Sequence, residues 1–196
     1  MKEPVVDLSF PHTWTAQILS ARPQILPPRH FVYPREAEEV ERGALEVLIK
    51  PIKPRDADHD SERSEQPFLA TCALGFRDPA VPTGIWSTPA PETICAVSGG
   101  YAYMIDTTAP DRFVMIAYRP VMEIRAAPAE QVLLFAGHHS ILAWGSRGEA
   151  WQAGKLSEEG VTITAIRGGK LHGVGWEMMS DRETPFTLDV HSGQRI

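Results

Sequence analysis

The residues of this chain best suited to chemistry by type are three histidines and a scatter of acids. His138 and His139 stand between Gly137 and Ser140, and His172 lies between Leu171 and Gly173. Imidazole is the side chain best matched to proton transfer near neutral pH, and it is a common zinc ligand. Adjacent side chains on extended backbone point to opposite sides, so one ion held by both His138 and His139 needs a bent turn and further ligands from elsewhere. A pair of exposed turn residues needs neither. His138, His139 or His172 with an acidic partner such as Asp106 or Asp189 would give a hydrolase its proton-transfer pair. The chain has no G-x-S-x-G nucleophile elbow, however, and Ser140 beside His139 is adjacency rather than a triad. No catalytic residue is assigned, and His138, His139 and His172 stand only as metal candidates.

Other chemistry-bearing types point to structure. Cys72 and Cys95 sit in apolar, β-rich surroundings with no CxxC spacing, as expected of reduced packing residues. Gly99-Gly100 and Gly168-Gly169 are not followed by a helical pattern, which removes the positive helix end that a phosphate cradle needs. They read as hairpin turns. The alternation of Asp56, Asp58 and Asp60 lacks the glycine and distal glutamate of a calcium loop. Glu158-Glu159 precedes Gly160 in an expected turn. No cofactor is expected. The binding candidates are aromatic: Trp86, Tyr101, Tyr103, Trp144, Trp151 and Trp176 could form a row on a half-exposed sheet and stack on a sugar, a base or a partner peptide, or they could fill the core between sheets.

Composition limits the partners. In 196 residues the formal net charge is -6, which opposes approach to a phosphate backbone, so nucleic acid is not expected. No run of about eighteen apolar residues occurs, and the opening residues lack the apolar stretch of a secretory signal, so neither a membrane span nor export is expected. The expected location is the cytosol. The 43% hydrophobic share supports a real core, in a single domain over residues 1–196.

The elements that must position these residues are strands. Residues 1–34 carry six prolines and read as an extended arm that lays Leu8, Phe10, Trp14, Ile18 and Leu19 onto the core. Pro34 followed by acidic residues predicts a short helical turn ending at Gly43. A strand over 44–49 is expected to pair with one over 68–74, and residues 51–66 between them read as a solvated loop. Hairpins are expected through Gly99-Gly100 and Gly168-Gly169. Segments 112–118 and 131–136 are apolar on both alternating faces, the pattern of central strands, whereas 161–166 and 186–190 alternate as half-buried strands do. The fold class is all-β: antiparallel meanders, either blade-like or in two packed sheets.

Three stretches are alike: Ala102-Tyr103-Met104-Ile105-Asp106-Thr107-Thr108-Ala109-Pro110-Asp111, Leu142-Ala143-Trp144-Gly145-Ser146-Arg147-Gly148-Glu149-Ala150-Trp151, and Thr187-Leu188-Asp189-Val190-His191-Ser192-Gly193-Gln194-Arg195-Ile196. Their starts at 102, 142 and 187 are 40 and 45 residues apart. The pattern resembles the blade repeat of β-propellers, of the quinoprotein and WD type, over about residues 68–196. The resemblance implies geometry only: an incomplete propeller-like run of about three blades, with no cofactor or scaffold role carried over. Open edges then favour pairing with another chain, so a non-catalytic binding or protein-interaction module that homodimerises is the first expectation. A hydrolase, or a regulatory or structural subunit of a complex, are the alternatives.

Overall fold

The computed structural model describes residues 3–35, 42–52 and 66–196. The described chain is nearly all β, in sixteen strands. Sheet I has the order β2-β4-β5-β3, built from Trp14–Leu19 (β2), Ala44–Pro51 (β4), Phe68–Ala73 (β5) and His30–Tyr33 (β3). Sheet II has the order β1-β6-β7-β8-β9, from Val5–Asp7 (β1), Gly84–Ser87 (β6), Thr93–Ser98 (β7), Tyr101–Asp106 (β8) and Phe113–Met115 (β9). Sheet III is the meander Glu123–Ala127 (β10), Val132–Ala136 (β11), Ile141–Gly145 (β12) and Gly148–Ala153 (β13). Sheet IV is the meander Val161–Arg167 (β14), Lys170–Glu177 (β15) and Arg182–Asp189 (β16). Pairing is antiparallel except for β1 on β6 and β3 on β5. Among the described residues no sheet closes into a barrel.

The alternation of side chains stacks the sheets in the order I, II, III, IV. On β7 and β8, Ile94, Ala96, Tyr103 and Ile105 join the cluster shared with sheet I, while Cys95, Val97, Ala102 and Met104 join the one shared with sheet III. On β11 and β12, Leu133, Phe135 and Leu142 face sheet II, and Leu134, Ala136, Ile141 and Ala143 face sheet IV. Sheets II and III are thus covered on both sides, which is why their strands read as unbroken apolar runs. Each fully buried large side chain in these layers contributes about 1.5–3 kcal/mol. Among the described residues no apolar cluster joins sheet IV back to sheet I, so the stack is blade-like and open.

The expected pairing of 44–49 with 68–74 is present as β4 on β5, with Leu45 opposite Cys72 and Ile49 opposite Phe68. Both glycine hairpins form, with positive φ at Gly99, Gly100, Gly168 and Gly169. The arm does more than lie on the core: it supplies β1 to sheet II and β2 and β3 to sheet I, with Phe10 and Trp14 fully buried. Segment 112–118 differs from the central strand its composition predicts. Only Phe113–Met115 is extended there, as an edge strand with Val114 51% exposed, because the chain then leaves sheet II and passes to sheet III. The helical turn expected over 34–42 and the loop over 51–66 lie largely outside the described residues.

β2 and β3 are parallel strands at opposite edges of sheet I, and the inner face is packed on sheet II, so the connection between them must pass over the outer face. There Glu46, Leu69 and Thr71 are buried. Thr71 Oγ1 donates to Glu46 Oε2 at 2.6 Å and faces His30 Nε2 at 2.8 Å. The carboxylate takes the hydroxyl proton, so the imidazole donates from Nε2.

Candidate functional site

The seam between sheets III and IV is built by main-chain bonds. Gly137 N–H donates to Ser140 O at 2.9 Å, which shapes the β11–β12 turn and turns His138 and His139 outward. The loop after β13 is held by both neighbours: Leu156 N–H donates to His139 O and Gly160 N–H to His138 O, each at 2.9 Å, and Glu158 N–H donates to Trp176 O at 2.8 Å. This loop presses on β15. A β carbon at position 175 would stand 2.0 Å from Leu156 O, so only glycine fits there.

Between the loop, the β11–β12 turn and the β15–β16 hairpin lies a groove of about 610 Å³. His139, Lys155, Ser157, Glu158, Trp176, Glu177 and Arg195 are among the residues that line it. Trp176 is half-buried. His139 Nδ1 lies 3.1 Å from Ser157 O. A carbonyl only accepts, so Nδ1 carries the proton and Nε2 of the neutral ring keeps its lone pair. Ser157 Oγ accepts from Trp176 N–H at 2.7 Å and Glu159 N–H at 3.1 Å, and donates to Trp176 O at 3.3 Å. That hydroxyl is a brace between loop and strand, with no proton free for nucleophilic work.

Each of the groove's acids has one oxygen engaged within the chain. Glu158 Oε2 accepts from Met178 N–H, and Glu177 Oε2 accepts from Ser180 Oγ at 2.6 Å. Among the described residues neither of the groove's cations, Lys155 and Arg195, pairs with a carboxylate. Lys155 also sits at φ 57°, left-handed backbone that a lysine adopts at a cost of roughly 1–2 kcal/mol.

Of the residues singled out from sequence, the groove brings together His139 and Trp176. His138 is an exposed neighbour, its ring centroid 6.1 Å from that of His139. His172 stands outside the groove, on the face of β15 that also carries Trp176, with Nδ1 3.1 Å from Thr187 Oγ1. Asp106 Oδ1 caps its own turn through Thr108 and Ala109, and Oδ2 pairs with Arg112 at 2.8 Å. Asp189 does the same with Ser192 and His191, and those hydrogen bonds, the Ser192 hydroxyl foremost, hold its carboxyl below the usual range. Among the described residues no three His, Cys, Asp or Glu side chains are grouped to hold a metal.

The other aromatic candidates are spread over three seams. Tyr103 lies between sheets I and II, its hydroxyl donating to Ala73 O at 2.9 Å. Trp86 lies between II and III. Trp151 lies between III and IV, its indole N–H donating to Val190 O at 2.8 Å. Tyr101 is half-buried beneath the Arg119 guanidinium, 5.0 Å from the ring centroid, and Trp144 is half-buried at the margin of the II/III layer. Cys72 and Cys95 are buried and free, and burial pushes both thiols far above their ordinary range, which removes thiolate chemistry.

Sequence reasoning missed Lys155, Ser157 and Arg195. The signal for the first was Gly154-Lys155, a turn in which lysine rather than glycine takes the left-handed position. Nothing local marked Arg195, which reaches the groove only because the chain beyond β16 folds back, with Arg195 opposite Leu188. Fold and site together define an all-β protein of stacked meander sheets with a ring-and-cation groove at one seam. In comparisons with known proteins, no family model and no curated protein sequence matches the chain.

Proposed function

We propose that this chain is a non-catalytic binding module and that the groove at the III/IV seam is its recognition site. The observation that carries the reading is that a half-buried Trp176 and His139, whose Nδ1 faces the Ser157 carbonyl, line one groove with a hydrogen-bonded frame. Aromatic surface with a few fixed polar groups is the usual make-up of a ligand site. The same geometry argues against the hydrolase alternative: among the described residues no hydroxyl or thiol is hydrogen-bonded to His139, and the Ser157 hydroxyl is spent on bracing. The test is a chemical-shift titration with neutral ring fragments, namely benzamide, phenol and a pyranose sugar. Trp176 and His139 should shift together, and the response should vanish in Trp176→Ala. Shifts confined to other parts of the fold would refute the assignment.

The open stack supports a second element of the reading, a partner or a second copy of the chain on an exposed sheet edge or end face. Light scattering over a concentration series tests it, a monomer throughout being the negative result. Two buried, unoxidised cysteines support a reducing, cytoplasmic setting, and among the described residues no helix is long and apolar enough to cross a membrane.

A further inference from the structure

Resting on the binding-module reading, we infer that the ligand of the III/IV groove is a small molecule that joins a planar ring to an oxyanion, the ring meeting Trp176 and the anion meeting Lys155 and Arg195. Two independent observations carry this. The first is the inventory of polar groups. Glu158 and Glu177 have each given an oxygen to a donor of their own hairpin, Met178 N–H and the Ser180 hydroxyl, while the ammonium of Lys155 and the guanidinium of Arg195 have no carboxylate among the described residues. The groove thus holds two charged donors without a carboxylate partner, beside two carboxylates that each have one oxygen already bonded. Its formal charges balance, so recognition is local hydrogen bonding rather than long-range attraction.

The second observation is the backbone of Lys155. Its φ of 57° is a conformation that glycine adopts freely, and Gly154 stands immediately before it in ordinary conformation with open space around it. A shift of glycine by one position would remove the strain. The sequence instead holds a cation at the strained position, which points to the side chain as the reason.

Carboxylate and phosphate share the required chemistry, and paired probes separate them: benzoate and phenyl phosphate, each against neutral benzamide, followed at the Trp176 indole N–H. At least one anion should bind about threefold to fivefold tighter than benzamide, as expected for an ion pair with exposed cations. Lys155→Met should remove that advantage and leave benzamide unchanged. Lys155→Gly should do the same while raising the thermal midpoint, which separates loss of the charge from loss of the fold. Equal affinities for anions and benzamide would sink the inference and leave the groove standing as a neutral ring site. Tight anion binding that survives Lys155→Met and Arg195→Met would sink it as well.

Discussion

Leu156 O lies so close to Gly175 that one methyl group decides whether the loop can stay on β15. Gly175→Ala must push the two backbones apart, at an expected cost of about 1–3 kcal/mol, and the displaced loop should loosen Trp176 with it. Gly154, in the same loop, has nothing within 4 Å of an added β carbon and no left-handed φ. Gly154→Ala should therefore leave stability unchanged or raise it by about 0.4–1 kcal/mol. Thermal unfolding of the two variants checks this, and a Gly175→Ala midpoint equal to the parent's would overturn the packing argument. His30 gives a pH prediction of defined sign. Desolvation, then the Arg22 charge, lowers its pKa from 6.5, while Glu46 opposes them in part. Above pH 6.5 the ring is neutral in both folded and unfolded chains, so nothing depends on it. As pH falls below 6.5 the unfolded chain takes up the proton first, and stability declines until the folded ring titrates too. His30→Gln keeps a donor for Thr71 but cannot titrate, so its midpoint should fall less between pH 7 and about 5 than the parent's; parallel curves would show that His30 plays no part.

Sheet I shows how far a strand depends on a polar contact that its sequence hides. On β5, Thr71 gives its proton to the buried Glu46 carboxylate and accepts from His30 on edge strand β3. Thr71→Val removes both bonds and leaves an anion short of a donor, for an expected loss of about 1–3 kcal/mol. Thr71→Ser should recover most of it, because it keeps the hydroxyl. Chemical denaturation of the pair tests the claim, and a Thr71→Val as stable as Thr71→Ser would refute it. None of this was legible in the sequence, since Glu46 sits between Leu45 and Val47 as an outward-facing strand residue would. What was legible follows one rule. Local alternation and glycine turns gave the hairpins 93–106 and 161–177, and the doubly apolar run at 131–136 marked β11 as central. The same rule overreached at Phe113-Val114-Met115, because an edge strand and a central strand differ in what lies beside them, which composition does not record. The site was half legible for the same reason. His139 and Trp176 announce themselves by type, whereas Lys155 and Arg195 matter only through a turn conformation and a chain reversal.

Across the whole molecule, the absence of an apolar layer between sheets IV and I among the described residues makes the fold a row with two ends rather than a ring. In a row each layer is stabilised by its immediate neighbours, so stability is distributed as in repeat proteins and falls toward the ends. Sheets II and III are clamped from both sides, while sheet IV is held by one cluster in which Phe186, Leu171, Leu188 and Val190 meet sheet III. Sheet IV should therefore open in a sub-global step that leaves β7, β8, β11 and β12 folded. Phe186→Ala should deepen that difference. It removes an aromatic side chain that packs over Gly173, at a cost of about 3–5 kcal/mol, and nearly all of that loss should fall on sheet IV. Amide exchange measured strand by strand reads this directly. Protection in β14, β15 and β16 should drop in the variant while that of β7, β8 and β11 stays close to the parent's. A uniform fall across all four sheets would mean that the stack unfolds as one unit and that its open end carries no independent weakness. The proposed recognition groove is lined in part by sheet IV, so a ligand bound there would favour the closed form of that sheet. Saturating ligand should accordingly slow exchange in sheet IV first.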